Sequence, residues 1–107
     1  MKKIALTTIF YILAFFYANN VFAQIVVVQG IVKNNAGQPV PGLTVSIFNP
    51  SYGRSNSVIT DERGFYIFYN IPVAQGVSYI EVYWGSGIIY RSPIQINGPL
   101  DWNIDIR

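Results

Sequence analysis

The fold is decided by Gly37-Gln38-Pro39-Val40-Pro41-Gly42-Leu43-Thr44-Val45-Ser46-Ile47 and, further along the chain, by Thr60-Asp61-Glu62-Arg63-Gly64-Phe65-Tyr66. Each stretch begins with residues typical of a turn. In the first stretch, the turn is followed by residues that alternate between apolar and polar, and in the second it is followed by the start of an apolar strand. Proline keeps the chain extended, glycine adopts positive φ, and aspartate accepts hydrogen bonds from a turn backbone. Alternation with period 2 places every second side chain in a core. These stretches therefore predict two turn–strand units of an all-β domain.

The rest of the chain from Ile25 onward repeats this pattern of short strands between Gly, Pro and Asn turns. Seven strands are predicted: Ile25 to Lys33, Leu43 to Ile47, Ser57 to Thr60, Phe65 to Tyr69, Val77 to Trp84, Gly87 to Ile96 and Leu100 to Ile106. No window has the apolar spacing of an amphipathic helix. Such a series of short strands favours a β-sandwich.

The N-terminus has the three-part layout of a secretory signal peptide. Met1-Lys2-Lys3 is positively charged, Ile4 to Ala18 is apolar apart from two threonines, and Val21-Phe22-Ala23 provides a cleavage site. The apolar run is too short to cross a bilayer comfortably. We therefore predict a signal peptide at residues 1–23 and a domain at residues 24–107. The exported domain would have no membrane span and would lie in the periplasm, at the outer membrane or outside the cell.

Charge and composition exclude several function classes. In residues 24–107, the five acidic residues are balanced by Lys33, Arg54, Arg63, Arg91 and Arg107. A neutral domain lacks the basic surface that nucleic-acid binding needs. The chain has no histidine and no cysteine, so it offers no imidazole base, thiolate nucleophile or ordinary zinc site. We expect no enzyme activity, no cofactor and no metal.

The quoted motifs resemble those of a carboxypeptidase regulatory-like domain. This prealbumin-like (transthyretin-like) sandwich is found beside metallocarboxypeptidase domains and in many bacterial surface proteins. The similar pieces are Gly30-Ile31-Val32, Gly37 to Gly42, Val45-Ser46-Ile47, Thr60 to Tyr66 and Ile71-Pro72, within a run from Val28 to about Ile96. The resemblance implies a seven-stranded antiparallel Greek-key sandwich of the prealbumin or immunoglobulin type. It also implies export and a role in binding or support rather than catalysis. We expect the domain either to support a separate chain or to act alone.

Three special activities of related sandwiches do not match these residues. The histidine-bearing motifs of transthyretin-like ureide hydrolases are excluded because there is no histidine. Lys33, Glu81 and Asn103 have the strand order of a pilin-type Lys–Asn bond, but the spacing from Lys33 to Gly37 differs, so we predict a solvated Lys33 and Glu81. The acidic residues lack the loop spacing of a calcium site, and Asp61 is predicted to form a turn.

Aromatic residues are the remaining functional clue. The resemblance implies that Tyr66 and Phe68 point inward in one strand, and strict alternation then points Phe65, Ile67 and Tyr69 outward. In the strand from Val77 to Trp84, we predict Ile80, Val82 and Trp84 inward and Glu81 outside. If these two strands are neighbours in one sheet, its outer face carries Phe65, Ile67, Tyr69, Tyr79 and Tyr83. An exposed apolar patch of this size is typical of an interaction surface. The alternative is that loops cover these residues, or that tyrosine simply favours strand formation and cross-strand pairing.

Two functions follow as hypotheses. The first is a non-catalytic interaction or structural subunit of a larger envelope or surface assembly, which binds through the aromatic face or through an edge strand. The second is a small carbohydrate-binding module. Its stacking platform would be Trp102, or else Trp84, Tyr83 or Tyr90, and Asp101 and Asn103, with Asn97, are the candidate polar groups near Trp102. Sugar binding requires polar groups that converge beside the aromatic ring.

We expect the exported protein to begin at Gln24, because Val21-Phe22-Ala23 matches the residues that a signal peptidase reads. Intact-mass measurement and N-terminal sequencing of protein recovered from the cell envelope check this. Recovery of a chain that still starts at Met1 would contradict it.

Overall fold

The structure is a computed structural model that describes residues 24–107. These residues form nine strands: β1 (Ile25–Lys33), β2 (Thr44–Asn49), β3 (Gly53–Arg54), β4 (Val58–Ile59), β5 (Phe65–Pro72), β6 (Ser78–Trp84), β7 (Gly87–Ile94), β8 (Leu100–Asp101) and β9 (Ile104–Asp105). No helix occurs among them. The all-β prediction is confirmed, whereas the predicted signal peptide lies outside the described residues.

The strands form two sheets. In sheet I, β1 lies between β5 on one side and β8 and β9 on the other. In sheet II the order is β3-β2-β6-β7, and β4 also pairs with β2. The β1–β5, β2–β6 and β6–β7 ladders are antiparallel. The chain therefore folds as the predicted β-sandwich, with β5 and β6 in different sheets.

The C-terminal segment differs from the single antiparallel strand that was predicted. It forms the short strands β8 and β9, which both run parallel to β1. Between them the Asn103 side-chain oxygen accepts a hydrogen bond from the Ile31 amide at 3.0 Å. The backbone of Trp102 donates to the Gln29 carbonyl at 2.8 Å. Because a side chain satisfies a β1 amide at this point, the regular ladder is interrupted.

The core lies between the two sheets and follows the period-2 pattern. Tyr66, Phe68, Ile80 and Val82 are buried, as predicted. The other apolar core residues are Val26, Val28, Val32, Leu43, Val45, Ile47, Ile71, Ile94, Ile96 and Ile104. Trp84 was predicted inward, and this is wrong, since 67% of it is exposed. The register of β6 against β7 shifts after Val82, so strict alternation does not extend to the end of the strand.

The two motifs that decide the fold contact each other through Thr60. Its hydroxyl accepts a hydrogen bond from the Leu43 amide at 2.9 Å and donates to the Val40 carbonyl at 2.8 Å. Asp61 forms the predicted turn, since its carboxylate accepts hydrogen bonds from the amides of Arg63 (2.9 Å) and Phe65 (3.0 Å). Backbone groups of both motifs are therefore satisfied locally, which fixes where β2 and β5 begin.

Gly30 lies in the middle of β1, where the C-terminal segment approaches closely. The hydroxyl of Tyr66 donates a hydrogen bond to the Trp102 carbonyl beside it. A Cβ at position 30 would overlap that carbonyl and lie 2.8 Å from the Tyr66 hydroxyl. Burial raises the pKa of Tyr66, so the phenol remains a hydrogen-bond donor. Glycine is therefore required here for space.

We expect Gly30→Ala to lower the free energy of unfolding by at least about 2 kcal/mol, because the methyl group displaces the Trp102 carbonyl from Tyr66. Urea denaturation of the purified domain measures this. Gly98→Ala is the matched control, since a Cβ there meets nothing within 4 Å, and it should change stability by less than about 0.5 kcal/mol. Equal effects of the two substitutions would show that Gly30 is not needed for close packing.

Candidate functional site

The outer face of sheet II carries polar and aromatic side chains in rows. β2, β6 and β7 pair in register, so side chains of the three strands lie side by side. One row consists of Phe48, Tyr79 and Pro93, the next of Ser46, Glu81 and Arg91, and the third of Thr44, Tyr83 and Ile88. Arg54 of β3 lies opposite Phe48. We call Phe48, Arg54, Tyr79, Glu81, Tyr83 and Arg91 the arginine face.

Glu81 is the centre of the arginine face and is only 2% exposed. One carboxylate oxygen, Oε1, accepts hydrogen bonds from Nη2 and Nε of Arg54, at 2.7 and 3.1 Å. The Tyr83 hydroxyl donates to the same oxygen at 3.0 Å. The other oxygen, Oε2, lies 3.5 Å from Nε of Arg91. Two cations and a phenol thus surround a single anion.

These contacts explain why a carboxylate is tolerated beneath the surface. A buried charge requires partners, and hydrogen bonds to charged groups are stronger than neutral ones. The hydrogen bond to Glu81 raises the pKa of Arg54, and the negative charge of Glu81 acts in the same direction. Burial raises the pKa of Tyr83, as does its hydrogen bond to Glu81. Both side chains therefore stay protonated as donors to Glu81.

Each arginine also lies against an aromatic ring. The guanidinium carbon of Arg91 is 4.4 Å from the centre of the Tyr79 ring, and that of Arg54 is 5.3 Å from the centre of the Phe48 ring. Both distances are within the range of cation–π attraction. The two arginine side chains are nonetheless 50% and 51% exposed. The guanidiniums are therefore held in place and still accessible to a binding partner.

Ser46 lies in the middle row of this face, opposite Glu81. It is only 1% exposed, and its hydroxyl has no hydrogen-bond partner among the residues that the structure describes. Buried hydroxyls are normally paired. A hydroxyl can both donate and accept, so Ser46 could pair with either kind of group in this row.

A groove of about 460 Å³ opens between the β3 edge of sheet II and the β5 edge of sheet I. Its walls include core residues such as Phe68 and Ile96. Its buried polar side chains are already occupied: the Asn49 amide donates to the Ser78 hydroxyl at 2.9 Å, and the Asn49 oxygen accepts from the Ser51 amide at 2.8 Å. The groove is thus an apolar cleft at the open side of the sandwich.

The predicted aromatic face is not a single surface. The shared face was predicted on the condition that β5 and β6 are neighbours in one sheet. This condition is not met, so Phe65, Ile67 and Tyr69 do not share a face with Tyr79 and Tyr83. Tyr79 and Tyr83 belong to the arginine face. Phe65, Ile67 and Tyr69 lie on edge strand β5 of sheet I, where Tyr69 is 65% exposed and the other two are half-buried. Their roles in partner binding stay predictions, now for two separate surfaces.

The residues of the carbohydrate hypothesis fasten the C-terminal segment to sheet I. The Asp101 carboxylate accepts a hydrogen bond from the Gln29 amide group at 2.9 Å, and Asn103 accepts one from the Ile31 backbone. Trp102 packs against the core, and its indole nitrogen is 3.3 Å from the Tyr90 hydroxyl. The polar side chains and the indole thus have structural contacts. Sugar binding by these residues stays a prediction.

The expectation of a solvated Glu81 is wrong, since its side chain is 3% exposed and paired with Arg54. Glu81 lies in sheet II, whereas Lys33 and the segment with Asn103 belong to sheet I. The structure therefore does not bring the three residues of a pilin-type bond together.

Sequence reasoning did not single out Arg54, Arg91, Phe48 or Ser46. Arg91 has a detectable signal, because it is a charged residue in the middle of a strand and is paired across the ladder with Glu81. Arg54 lies in a two-residue strand after the turn at Tyr52 and Gly53. A strand of two residues shows no alternation, so the sequence does not predict to which side of the sheet the Arg54 side chain points.

A model of one protein family matches residues 27–85, and its description is carboxypeptidase regulatory-like domain. The chain belongs to the carboxypeptidase regulatory-like domain family. The resemblance inferred from the turn motifs is thereby confirmed. This is a non-catalytic type of domain, and the matched residues include all of the arginine face except Arg91. No curated protein matches the chain significantly.

Several solved structures share the fold at low identity. A DUF3823 family protein from Parabacteroides merdae is 14% identical with a TM-score of 0.58, over 79% of this chain and 47% of that protein. The shaft pilin SpaA from Lactobacillus rhamnosus GG is 6% identical with a TM-score of 0.55, over 78% of this chain and 48% of the pilin. Chlorocatechol 1,2-dioxygenase from Pseudomonas putida is 13% identical with a TM-score of 0.55, over 78% of this chain and 60% of the dioxygenase. The chain thus spans about half to three-fifths of these proteins, and the likeness shows a shared β-sandwich.

Within residues 24–107, no helix is long and apolar enough to cross a membrane. In the same part of the chain, no three His, Cys, Asp or Glu side chains are grouped so as to hold a metal ion.

We expect Arg54→Met to destabilise the domain more than Glu81→Leu does. Loss of Arg54 leaves the buried Glu81 carboxylate without its strongest donor, which should lower the folded-to-unfolded ratio at least about tenfold. Loss of Glu81 leaves arginines that reach water, and an apolar residue of similar size fits the site. Urea denaturation at neutral pH measures both.

Arg91→Met is the control for this comparison, because Arg91 makes a single 3.5 Å contact with Glu81, and it should have a smaller effect than Arg54→Met. If Glu81→Leu were the more damaging change, the carboxylate would be a net source of stability instead of a group that depends on Arg54.

Proposed function

We propose that the chain is an exported, non-catalytic β-sandwich subunit that docks onto a larger envelope or surface protein, and that the arginine face of sheet II is the contact. Membership of a non-catalytic domain family supports this, as does the absence of histidine and cysteine from the chain. The same fold occurs in a shaft pilin and also in a dioxygenase. The fold alone therefore does not decide the role, and the proposal depends on the surface.

The observation that carries the proposal is the composition and order of the arginine face. Arg and Tyr are enriched at protein interfaces and among the residues that dominate binding energy. Here Arg91 is stacked on Tyr79, and Tyr83 is hydrogen-bonded to Glu81. Side chains that are already restrained lose less conformational entropy on binding. This surface is therefore better prepared for a partner than a set of freely moving side chains.

The surface near β5 fits a partner less well. Phe65 and Ile67 are half-buried, and Tyr69 is exposed beside the apolar groove. Charged groups that would orient a partner are lacking among the residues that line the groove, apart from Arg54, which is directed to Glu81. We therefore assign the contact to Tyr79 and Tyr83 and use Tyr69 as the comparison site.

The test is a mild-detergent pull-down of the tagged exported protein from its native envelope, with co-purifying chains identified by mass spectrometry. We expect one membrane or secreted protein in stoichiometric amount. The Tyr79→Ser/Tyr83→Ser variant should capture at least about tenfold less of it, because large contact areas and the restraint on Arg91 are lost. Circular dichroism and thermal unfolding confirm that the variant is folded.

Tyr69→Ser is the matched control, since it removes an exposed tyrosine from the opposite sheet and should leave capture unchanged. Capture that depends on Tyr69 and not on Tyr79 or Tyr83 would move the contact to sheet I. A wild-type eluate that contains no companion protein would show that the chain is not a constitutive subunit.

A further inference from the structure

We infer that the arginine face recognises an acidic segment of the partner protein, with a carboxylate side chain of that segment seated between Arg54 and Arg91. The inference rests on the proposed function for the existence of a protein partner. It adds the chemistry by which that partner is recognised.

The charges of the arginine face do not balance internally. Arg54 and Arg91 share the single carboxylate of Glu81. Oε1 of Glu81 is fully used by Arg54 and Tyr83, whereas Oε2 has only the long 3.5 Å contact with Arg91. A guanidinium has five N–H donors. Arg91 therefore keeps most of its donors for a ligand, and the cluster carries an excess positive charge.

The geometry holds these donors ready for an acid. Each arginine is fixed from beneath by Glu81 and from one side by an aromatic ring. Such restraint reduces the entropy cost of binding. The planar guanidinium fork matches a carboxylate through two parallel hydrogen bonds. A carboxylate that approaches from solvent would thus meet N–H groups that are already oriented, without displacing Glu81.

The neighbourhood favours a carboxylate on a protein segment. The half-buried rings of Phe48, Tyr79 and Tyr83 surround the two arginines. Apolar contact on either side of the acid would exclude water and strengthen its ion pairs. A free anion would not use these rings, whereas side chains next to an Asp or Glu in a peptide would.

Lys33 and Arg63, two of the three other basic residues of the described chain, have a different setting. Lys33 pairs across the ladder with Asp105, and Arg63 follows Glu62 in an exposed turn. Each of these bases therefore has an exposed acid close by, and neither is stacked on a ring among the described contacts. Within residues 24–107, the arginine face is the place where two arginines converge on one carboxylate.

The test is a nitrogen-15 NMR titration of residues 24–107 as exported, with a blocked tetraglutamate peptide as the probe and tetraglutamine as the neutral control. We expect tetraglutamate to shift the Nε–H signals of Arg54 and Arg91 and the amides of β2, β6 and β7. Tetraglutamine should shift them much less. Sodium chloride at about 0.5 M should abolish the difference, because exposed charges are then screened.

Two variants separate a specific site from general attraction. Arg91→Met keeps an apolar stem over Tyr79 and leaves the Arg54–Glu81 pair intact; it should weaken tetraglutamate binding at least about fivefold. Arg63→Met removes the same charge from a turn and should have no effect. Equal weakening by both variants, or equal shifts with both peptides, would overturn the inference. Equally strong binding of free acetate would also overturn it, in favour of a small-anion site.

The same variants in the pull-down distinguish this inference from the proposed function. Reduced capture of the partner by Arg91→Met, with normal capture by Arg63→Met, supports both. Normal capture by Arg91→Met together with loss in Tyr79→Ser/Tyr83→Ser would contradict the acidic segment and leave the subunit role standing. If a second copy of this chain were the captured protein, the partner would be the chain itself, and the inference of a larger acidic partner would be wrong.

Discussion

The hydrogen bond from the Tyr66 hydroxyl to the Trp102 carbonyl, in the space that Gly30 leaves open, is the contact on which the closure of sheet I depends. The segment it fastens brings Ile104 into the core, where that residue is 1% exposed. This segment runs parallel to β1 through only two short ladders. Side-chain and backbone contacts from Gln29 and Ile31 therefore replace the hydrogen bonds of a longer strand.

Sheet II has a different constraint, which is that the buried Glu81 carboxylate must keep its partners. An outward-facing carboxylate in a central strand would normally be hydrated, but here Arg54, Tyr83 and Arg91 cover it. Buried ion pairs contribute little net stability and are costly when one partner is lost. A cluster of this kind is thus better explained by what it orders on the surface than by its contribution to folding.

The parts of the fold that the sequence predicted are those fixed by local chemistry. The Asp61 turn, the strand that starts at Ile25 and the inward position of Ile80 follow from turn residues and period-2 alternation. The inward position of Tyr66 was implied by the family resemblance. The allocation of strands to sheets does not follow from local chemistry, because it depends on long-range pairing that leaves no local signal. For this reason the shared aromatic face could be predicted only on the condition that β5 and β6 are neighbours, and they lie in different sheets. The shift after Val82 that exposes Trp84 is a further departure of this kind.

The two outer faces of the sandwich differ in a way that bears on function. On sheet I, the acid and amide side chains of Asp101 and Asn103 are engaged with β1. On sheet II, two half-exposed arginines are restrained by Glu81 and by aromatic rings and still reach solvent. Arginine and tyrosine held beside one another in this way are residue types that are enriched at protein interfaces. The asymmetry therefore favours sheet II as the docking side of the domain.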